Sequence, residues 1–570
     1  MNRSRFRSTS IALSALAMML HVPSTAAAAP PQIANPDKAA RAFVAKYEAD
    51  IRPLEIATNI AWWKANTTGK DEDFAAKVET QNKLDEALAR PEPFAELQAL
   101  HAAQLNDAIL ARQIDVLYRT YLERQVDPDL LKRITSKANE IEQAFNVYRA
   151  QRDGKEITDS EARRVLKESK DSKERQAVWE SSKGVGAKVA EDLRQLVLLR
   201  NEAARKLGFK DFHAMRLYLA EQDQAQVLKL FDELDELTRE PFQRAKAEID
   251  VSLAKFVGVP IDELQPWHYQ DPFFQEAPAI SEVSLDKVFA GADILAICRK
   301  FYDGIGLPID DVIERSDLYE KPGKSPHAFC NDIDRVGDVR VLANIVPNEY
   351  WMGTMLHELG HSVYSSKNIP RALPYVLRTD AHILCTEGVA MMFERFSKSG
   401  EWLQAMGVSV PDPQAYSKAG AQMRRNQLLI FSRWCQVMLR FEQQMYANPE
   451  LNLNDLWWQL VEKYQLLKRP AGRNAPDYAA KIHVVSAPCY YHNYMMGQLF
   501  ACQVHATIAR DVLAASDVPN AFYTSDKKVG RFMNERVFGP GATLSWNALT
   551  KHATGEELNA KAFAAEFAAE

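Results

Sequence analysis

The sequence predicts a mainly α-helical fold with one small β-sheet. Three observations support this prediction: helical periodicity runs through most of the chain, strand-like sequence is scarce, and 46% of the 570 residues are apolar. Residues 191–212 show the periodicity clearly, because apolar side chains there recur at intervals of three and four residues. Gly208 follows as the left-handed residue expected after the last helical turn.

Comparable periodicity predicts helices along most of the remaining chain. The predicted segments are 72–125, 128–152, 160–182, 222–256, 284–303, 421–446 and 453–466. The clearest strand signal is the β-branched stretch VRVLANIV at 339–346. The single sheet is therefore expected at this position, just before the helix that carries the most distinctive motif of the chain.

The first 29 residues differ in composition from everything that follows. Three arginines precede an apolar stretch at 11–20, and small residues follow it up to Ala29. This order is typical of a secretory signal peptide that is cleaved within 26–29. The apolar stretch is short for a membrane span, so cleavage is favoured over an uncleaved anchor. A lipoprotein leader is excluded because the segment contains no cysteine.

The predicted signal peptide at 1–29 sets the expected location of the mature protein. Residues 30–38, PPQIANPDK, read as an exposed linker between the leader and the folded chain. We expect the mature protein to be exported, to a bacterial periplasm or to the medium, without stable membrane insertion. A role in nucleic-acid binding is not expected, because the net charge is −6 and no basic tract is present.

The six cysteines leave the question of disulfides open. They are widely spread, and no two of them form a CxxC motif. An oxidising compartment would permit bridges, and about fifteen complete pairings are possible. Buried, unpaired thiols are the alternative interpretation. The six residues are Cys298, Cys330, Cys385, Cys435, Cys489 and Cys502.

The sequence HELGH at 357–361 is the strongest chemical signal in the chain. Its flanks are predicted to be helical, so His357 and His361 should project from one face, one turn apart. This is the spacing with which two imidazoles bind one Zn²⁺ ion. Glu358 lies one step round the helix, which suits a general base better than a ligand. The alternative is a histidine pair on a surface helix without a metal.

The third metal ligand has three candidates. The motif HExxHxxGxxH is excluded, because Tyr364 and Lys367 occupy its last two fixed positions. The next glutamate along the chain is Glu387, at the start of a second helical pattern, and Asp380 and His382 compete with it. Two histidines and one glutamate would leave one position of a zinc ion open for water. Peptide hydrolysis at such a site also needs a tyrosine or histidine that stabilises the oxyanion.

Six ordered segments identify a family resemblance. The chain resembles the angiotensin-converting enzyme family (peptidyl-dipeptidase A), a branch of the gluzincin metallopeptidases, and it shares features with the thimet-oligopeptidase group. The resemblance covers about residues 50 to 565. Its segments are IAWWKANTTGKDED, LVLLRNEAARKLGFKDF, GKSPHAFC, HELGH with the Glu387 segment, KIHVVSAPCYYHNYMMGQLFACQVH at 481–505, and GATLSWNALTKHATGEELNAKAF.

The resemblance implies a large helical metallopeptidase with one Zn²⁺ ion per chain. Two helical halves would surround a deep cleft, with the small sheet near the zinc helix, in a single domain at 39–570.

The resemblance also implies a role for each matching residue. The zinc ligands would be His357, His361 and Glu387, with Glu358 as the general base. His483 and Tyr494 would stabilise the tetrahedral intermediate, Lys481 and Tyr491 would hold the C-terminal carboxylate of the substrate, and His327 and Ala328 would bind its backbone.

The sequence departs from the converting-enzyme pattern at several positions. One extra residue after His483 makes Tyr490 and Tyr491 competitors for one role. Asn493 replaces an arginine that binds chloride in the animal enzymes. An aspartate that orients a zinc histidine in that family is also replaced, by Met391, so Glu394 or Asp380 would have to supply this support.

One further substrate contact is expected from the first half of the chain. A glutamine should join the carboxylate pocket, and Gln270 in PWHYQDPF is the candidate. The implied function is zinc-dependent hydrolysis of short peptides with release of C-terminal dipeptides. An oligopeptidase that cleaves internally is the alternative among enzymes. A peptide-binding or scaffold protein without turnover is the alternative outside them, although such a protein would need no general base. The oligomeric state stays open.

Overall fold

The computed structural model describes residues 33–279 and 284–567. The α-helices of these residues are α1 (Pro36–Asp50), α2 (Arg52–Thr68), α3 (Asp71–Leu88), α4 (Pro91–Ala102), α5 (Ala108–Leu122), α6 (Pro128–Val147), α7 (Asp159–Glu168), α8 (Ser172–Lys206), α9 (Phe212–Leu219), α10 (Gln224–Val257), α11 (Ile294–Ile305), α12 (Asp310–Arg315), α13 (Glu349–Val363), α14 (Ile383–Glu394), α15 (Gly400–Met406), α16 (Pro413–Ala447), α17 (Leu453–Gln465), α18 (His483–Ser486), α19 (Tyr491–Thr507), α20 (Lys527–Phe532), α21 (Trp546–Thr554) and α22 (Lys561–Ala565). The mainly α-helical fold is confirmed.

The strands form two small antiparallel sheets in the described part of the chain. One consists of β1 (Ala150–Arg152) and β2 (Lys155–Ile157), and the other of β3 (Phe329–Asp332) and β4 (Val339–Leu342). The second sheet confirms the strand signal at 339–346, although β4 ends four residues earlier. The first sheet was not predicted.

The helix predicted at 128–152 is wrong after Val147, because the chain turns into the β1–β2 hairpin. Asp153 and Gly154 have φ angles of 51° and 74°, which is the conformation of a tight two-residue hairpin turn. The Asp-Gly pair is a known signal for this turn. The prediction at 284–303 is also partly wrong, since α11 begins only at Ile294, after its cap residue Asp293.

The N-terminal boundary of the fold differs slightly from the prediction. The side chain of Asn35 caps α1 by accepting a hydrogen bond of 3.0 Å from Lys38 N, and Pro36 occupies the first helical position. The predicted linker at 30–38 therefore ends before Pro36. The predicted signal peptide at 1–29 lies outside the described residues. The predicted single domain with two halves around a cleft stays a prediction.

Buried apolar side chains form two large clusters. The larger one runs from α6 to α22, and the smaller one joins α1, α4 and α5 to residues 375–377. A third, small cluster of Trp63, Ile333 and Leu342 fixes α2 against the β3–β4 sheet. None of the described helices has the length and apolar content that a bilayer span requires. All six cysteines are unpaired thiols, and Cys330 alone among them is partly exposed.

Close backbone contacts hold together the three helices that carry the site. Helix α14 packs between α13 and α19. A Cβ atom on Gly360 of α13 would lie 2.8 Å from Ala390 Cα of α14, and a Cβ atom on Gly388 would lie 2.7 Å from Gly497 O of α19. Glycine is needed at both contacts, because such distances leave no room for a side chain.

Candidate active site

Helix α13 presents the two histidines of HELGH on one face. The helix begins after Asn348, whose side chain accepts a hydrogen bond of 2.8 Å from Trp351 N. Four residues later on the helix, the second imidazole returns above the first, and the two rings lie 4.8 Å apart between centroids. The Nε2 atoms of His357 and His361 face the same point and are 3.2 Å apart.

Helix α14 brings Glu387 to the same point. Its Oε2 atom lies 3.5 Å from His357 Nε2 and 3.9 Å from His361 Nε2. A circle through three atoms at these separations has a radius of about 2.1 Å, which equals the usual Zn–N and Zn–O bond lengths. Among the described residues, these three side chains form the one group of histidine, cysteine or acidic residues that could hold a metal ion.

The two rival residues for the third position have other places in the structure. His382 is the N-cap of α14, and its Nδ1 atom accepts a hydrogen bond of 3.1 Å from Leu384 N. Asp380 is hydrogen-bonded to Thr379, and burial raises the pKa of its carboxyl group. Neither side chain belongs to the three-residue group. The structure therefore favours Glu387 among the three candidates.

The second ring nitrogen of each histidine, Nδ1, contacts a side chain of α14. The Nδ1 atom of His357 lies 2.9 Å from Glu394 Oε2, and the Nδ1 atom of His361 lies 2.8 Å from Thr386 Oγ1. Such contacts place the proton on Nδ1 and leave Nε2 free for a metal. Glu394 was one of two candidates for this support. Thr386 was not predicted, although its position directly before Glu387 places it on the same helix.

Glu358 is a buried carboxylate beside the group but outside it. Burial raises its pKa to about 7, and the neighbouring charge of His357 opposes this shift. Its carboxylate accepts a hydrogen bond from the backbone N–H of Cys330 in β3. Strand β3 thus packs against α13 at the site. His327 is exposed and Ala328 is partly buried, and both lie immediately before this strand.

A second polar cluster lies around Lys481. Its Nζ atom donates a hydrogen bond of 2.6 Å to Gln275 Oε1, and the hydroxyl group of Tyr491 lies 3.5 Å from the same oxygen. The ammonium group also lies 5.3 to 5.5 Å from the ring centroids of Phe273, Trp434 and Tyr491. Burial lowers the pKa of Lys481 to about 8, and the nearby carboxylate of Asp271 opposes this shift.

The glutamine in this cluster is Gln275, and the prediction of Gln270 is wrong. The Oε1 atom of Gln270 accepts a hydrogen bond of 2.8 Å from Ala279 N, so this side chain holds its own loop. Gln275 lies five residues further along the same loop and reaches Lys481 and Tyr491. The sequence signal was the second glutamine in QDPFFQ.

The three tyrosines near the start of α19 lie near two different parts of the site: Tyr490 and Tyr494 near Glu387, and Tyr491 near Lys481. The rings of Tyr490 and Tyr494 lie 5.1 Å apart, and the charge of Glu387 contributes to raising both pKa values, after burial. Tyr491 instead faces the cluster around Lys481. Of the two competing tyrosines, Tyr491 is therefore the one that lies beside Lys481 and Gln275, and its role stays a prediction. Tyr490 is a neighbour of Tyr494.

His483 lies beside the cluster around Lys481. Its ring centroid is 5.1 Å from that of Tyr491, and burial lowers its pKa to about 4, so the imidazole is neutral at pH 7. Its Nδ1 atom is buried without a hydrogen-bond partner among the described residues. An unpaired buried nitrogen of this kind is free to interact with a substrate.

A cavity of about 760 Å³ is lined by Glu394, the partner of His357, but by none of the three residues His357, His361 and Glu387. Its lining includes Met391 and Glu394 of α14, Gln427 of α16 and Gln498 of α19. The volume is within the range of sites that enclose a ligand. Asn493 lies away from it, buried, with its Oδ1 atom accepting a hydrogen bond of 2.7 Å from Gln222 Nε2. Asn493 and Gln222 thus form a buried pair of neutral amides.

Comparison with known proteins shows similarity to two families of peptidases. The family model for angiotensin-converting enzyme matches residues 34–242, and the model for peptidase family M3 matches residues 313–569. The angiotensin-converting enzyme of Theromyzon tessulatum is 20% identical over 583 residues, which cover 94% of this chain and 92% of that protein. Each of the two models matches less than half of the chain, so the chain is similar to angiotensin-converting enzyme in its first half and to peptidase family M3 in its second half.

A second relative matches over a shorter range. The angiotensin-converting enzyme-like protein Ace3 of Mus musculus is 21% identical over 446 residues, or 71% of this chain, and the match spans 58% of the mouse protein. The two family models match different parts of the chain, with a gap at 243–312. The group of His357, His361 and Glu387 lies in the part that matches peptidase family M3, as do Lys481, Tyr491 and Trp434. The loop residues of the cluster around Lys481, which are Asp271, Phe273 and Gln275, lie between the two matches.

Proposed function

We propose that this protein is a zinc peptidase of the angiotensin-converting enzyme type that releases dipeptides from the C-terminus of short peptides. The observation that carries the proposal is the pairing of two sites. The group of His357, His361 and Glu387 fits one zinc ion, and the cluster of Lys481, Gln275 and Tyr491 fits a carboxylate. A peptide held at both would be cut at a fixed distance from its end.

The donor set suits zinc more than other common metals. Two imidazole nitrogens and one carboxylate oxygen are the ligands of many catalytic zinc sites, and they leave one position open. Zinc bound there would polarise the scissile carbonyl group and lower the pKa of a water molecule. Glu394 and Thr386 fix the orientation of the two imidazoles, so the group is arranged before a metal arrives.

The proton transfers are assigned to Glu358. Its carboxylate lies beside the ligand group without belonging to it, and the N–H of Cys330 fixes its orientation. In the proposed reaction it takes a proton from the attacking water and delivers it to the leaving amine. Tyr494 donates its hydroxyl proton as a hydrogen bond to the oxyanion of the tetrahedral intermediate, and His483 assists from the neighbouring position.

Substrate binding is assigned to two elements. The backbone at His327 and Ala328, which leads into β3, would hold the peptide in an extended conformation beside α13. Lys481 would bind the terminal carboxylate through its charge, while Gln275 and Tyr491 would orient it by hydrogen bonds. The protein is also proposed to be exported, on the basis of the leader at 1–29.

The second candidate function is internal cleavage by an oligopeptidase. The observation that favours it is the match to peptidase family M3 over 313–569, which includes the histidine group. Internal cleavage would need no recognition of a free carboxylate, so the two candidates differ in what Lys481 does.

The metal content of ligand variants tests the zinc assignment. We expect about one tightly bound Zn²⁺ per chain, and its loss from Glu387→Gln and from His361→Ala, because either change leaves two ligands. Metal analysis after exhaustive dialysis measures this. Asp380→Asn is the control and should retain zinc. Zinc that stays in Glu387→Gln would move the third ligand to Asp380 or His382.

Competition between a peptide acid and its C-terminal amide tests the carboxylate site. A charge-assisted hydrogen bond contributes roughly 1.5–3 kcal/mol, so kcat/KM should favour the acid by about ten- to a hundredfold at pH 7. Lys481→Ala should remove this preference without changing hydrolysis of the amide. Equal rates for both peptides in the wild-type protein would favour the oligopeptidase.

The same preference should depend on pH in one direction. Because burial lowers the pKa of Lys481 to about 8, the amine is charged below that pH and neutral above it. The ratio of kcat/KM for acid and amide should therefore fall towards one as the pH rises through about 8. The ratio isolates Lys481, since both peptides experience every other titration of the site. A ratio that is constant between pH 6 and pH 9.5 would contradict the assignment.

A further inference from the structure

The loop at 270–279, which carries Gln275, has an unusual backbone. Gln270 and Phe274 have φ angles of 66° and 50°, although neither is glycine, and both side chains are buried. The left-handed region is rarely occupied by a bulky residue such as phenylalanine. Conformations of this kind persist where the surroundings fix them, and they occur often at functional sites.

Side chains from three directions fix this loop. The Oδ1 atom of Asp271 accepts hydrogen bonds of 3.0 Å from Phe273 N and 2.9 Å from Gln275 N. The Nε2 atom of Gln465 donates to Phe273 O and Phe274 O, at 2.9 and 2.8 Å. Trp179 donates from Nε1 to Pro272 O at 3.0 Å. The backbone of Gln275 is therefore set directly by Asp271.

The other oxygen of Asp271 has no comparable partner. The side chain is buried, and Oδ2 makes no hydrogen bond to any residue within 33–279 or 284–567. Leaving a buried carboxylate oxygen unsatisfied costs free energy, so its retention calls for an explanation. The negative charge acts on two buried amines, since it raises the pKa of both Lys481 and Lys183 against the effect of burial.

We propose that Asp271 is the positioning residue that sets the preference for a free C-terminal carboxylate. One oxygen fixes Gln275 through the backbone, and the negative charge of the same carboxylate acts on the buried amine of Lys481, which Gln275 contacts. The inference rests on the proposed function, because it concerns the same carboxylate site. It adds a residue that does not itself touch the substrate.

The charged and titratable groups around Lys481 come from several elements. Asp271 and Glu276 of the loop favour the charged amine, and Arg163 of α7 opposes it. Cys435 of α16 also interacts with it, as do Lys183 of α8, His483 of α18 and the ring of Tyr491 in α19. After burial, the charge of Asp271 has the largest effect, and it acts in the opposite direction. It is therefore the group whose removal should change Lys481 most.

The substitution Asp271→Asn separates the two roles. Asparagine keeps an oxygen that can accept from Phe273 N and Gln275 N, so the loop should stay in place, while the charge is lost. At pH 7.5 we expect the ratio of kcat/KM for peptide acid and amide to fall by about fivefold or more. The pH at which the preference is lost should also move to a lower value. Hydrolysis of the amide should stay within about twofold of wild type.

Gln465→Leu is the matched control for loosening the loop. It removes the hydrogen bonds to Phe273 O and Phe274 O without changing any charge. Gln465→Leu should weaken the preference for the peptide acid, but the pH at which this preference is lost should stay the same as in the wild-type protein. Asp271→Ala, which loses both roles, should show the weakened preference and the shifted pH dependence together.

Two results would overturn the inference. The first is an equal loss on acid and amide in Asp271→Asn, which would show a purely structural role. The second is an acid-to-amide ratio that is lost at the same pH in Asp271→Asn as in the wild-type protein. If the wild-type protein still prefers the acid, this second result would leave the proposed function intact. Absence of any acid preference in the wild-type protein would overturn both the inference and the carboxylate site.

Discussion

Replacing Glu358 with glutamine should remove nearly all peptide hydrolysis and leave the bound zinc in place. Glutamine has almost the same shape and still accepts a hydrogen bond from Cys330 N, but it takes up no proton. The proton transfers from water and to the leaving amine would both be lost. General base catalysis typically contributes about 10²- to 10⁴-fold, so kcat should fall by at least that range.

The measurement is kcat on a short peptide together with metal content. Glu349→Gln is a matched control on the same helix, since that carboxylate binds Lys398 and Ser397 and lies outside the ligand group. It should keep zinc and most of its turnover. A near-normal kcat in Glu358→Gln would show that another group moves the proton.

The second large effect is expected from Tyr494→Phe. Its hydroxyl group is assigned to the oxyanion, which exists only in the transition state and the intermediate, so kcat should fall while KM changes little. Removal of one oxyanion donor typically costs about a hundredfold or more. Steady-state kinetics on the peptide amide isolate this effect, because the amide does not use the cluster around Lys481.

Two neighbouring tyrosines serve as comparisons for this variant. Tyr491→Phe should raise KM for the peptide acid and leave the amide unaffected, since its hydroxyl group faces Gln275. Tyr490→Phe tests the other side, where its ring lies 5.1 Å from that of Tyr494. If kcat falls a hundredfold in Tyr490→Phe and not in Tyr494→Phe, the two residues have been assigned to the wrong roles.

The histidine group could be predicted because its geometry is local. The i, i+4 spacing of His357 and His361 fixes their relative position as soon as the segment is helical. Glu387 followed from the order of glutamates along the chain and from a second helical pattern. Thr386 could not be ranked from sequence, because a threonine beside a ligand has no pattern that distinguishes it from a packing residue.

The glutamine that contacts Lys481 could not be chosen from the sequence. Gln270 and Gln275 lie five residues apart in one loop, and the choice between them depends on left-handed backbone at Gln270 and Phe274. Residues of these types rarely adopt that conformation, so no local signal indicates it. Contacts from Gln465 and Trp179, which are distant in sequence, fix the loop instead.

Predicted helix boundaries were wrong where residues that favour a turn follow a segment with helical periodicity. The segment 128–152 continues its helical pattern past Val147, but Asp153 and Gly154 favour a hairpin, and the hairpin forms. Helix α10 was predicted best, at 222–256, because its apolar face is continuous and buries against one core. The prediction at 160–182 missed the break between α7 and α8, and the one at 191–212 passed the end of α8 at Lys206. The fold class was therefore more secure than any single boundary.

The release of C-terminal dipeptides is tested most directly by the mass of the first product from a short synthetic peptide with a free C-terminus. We expect a dipeptide from the C-terminal end and the complementary shortened peptide, both seen early in the digest, before further cuts. This result follows if the carboxylate is bound by Lys481, Gln275 and Tyr491 while the scissile bond lies at the histidine group. Internal fragments as the first products, formed equally from the peptide amide, would contradict the account and support the oligopeptidase.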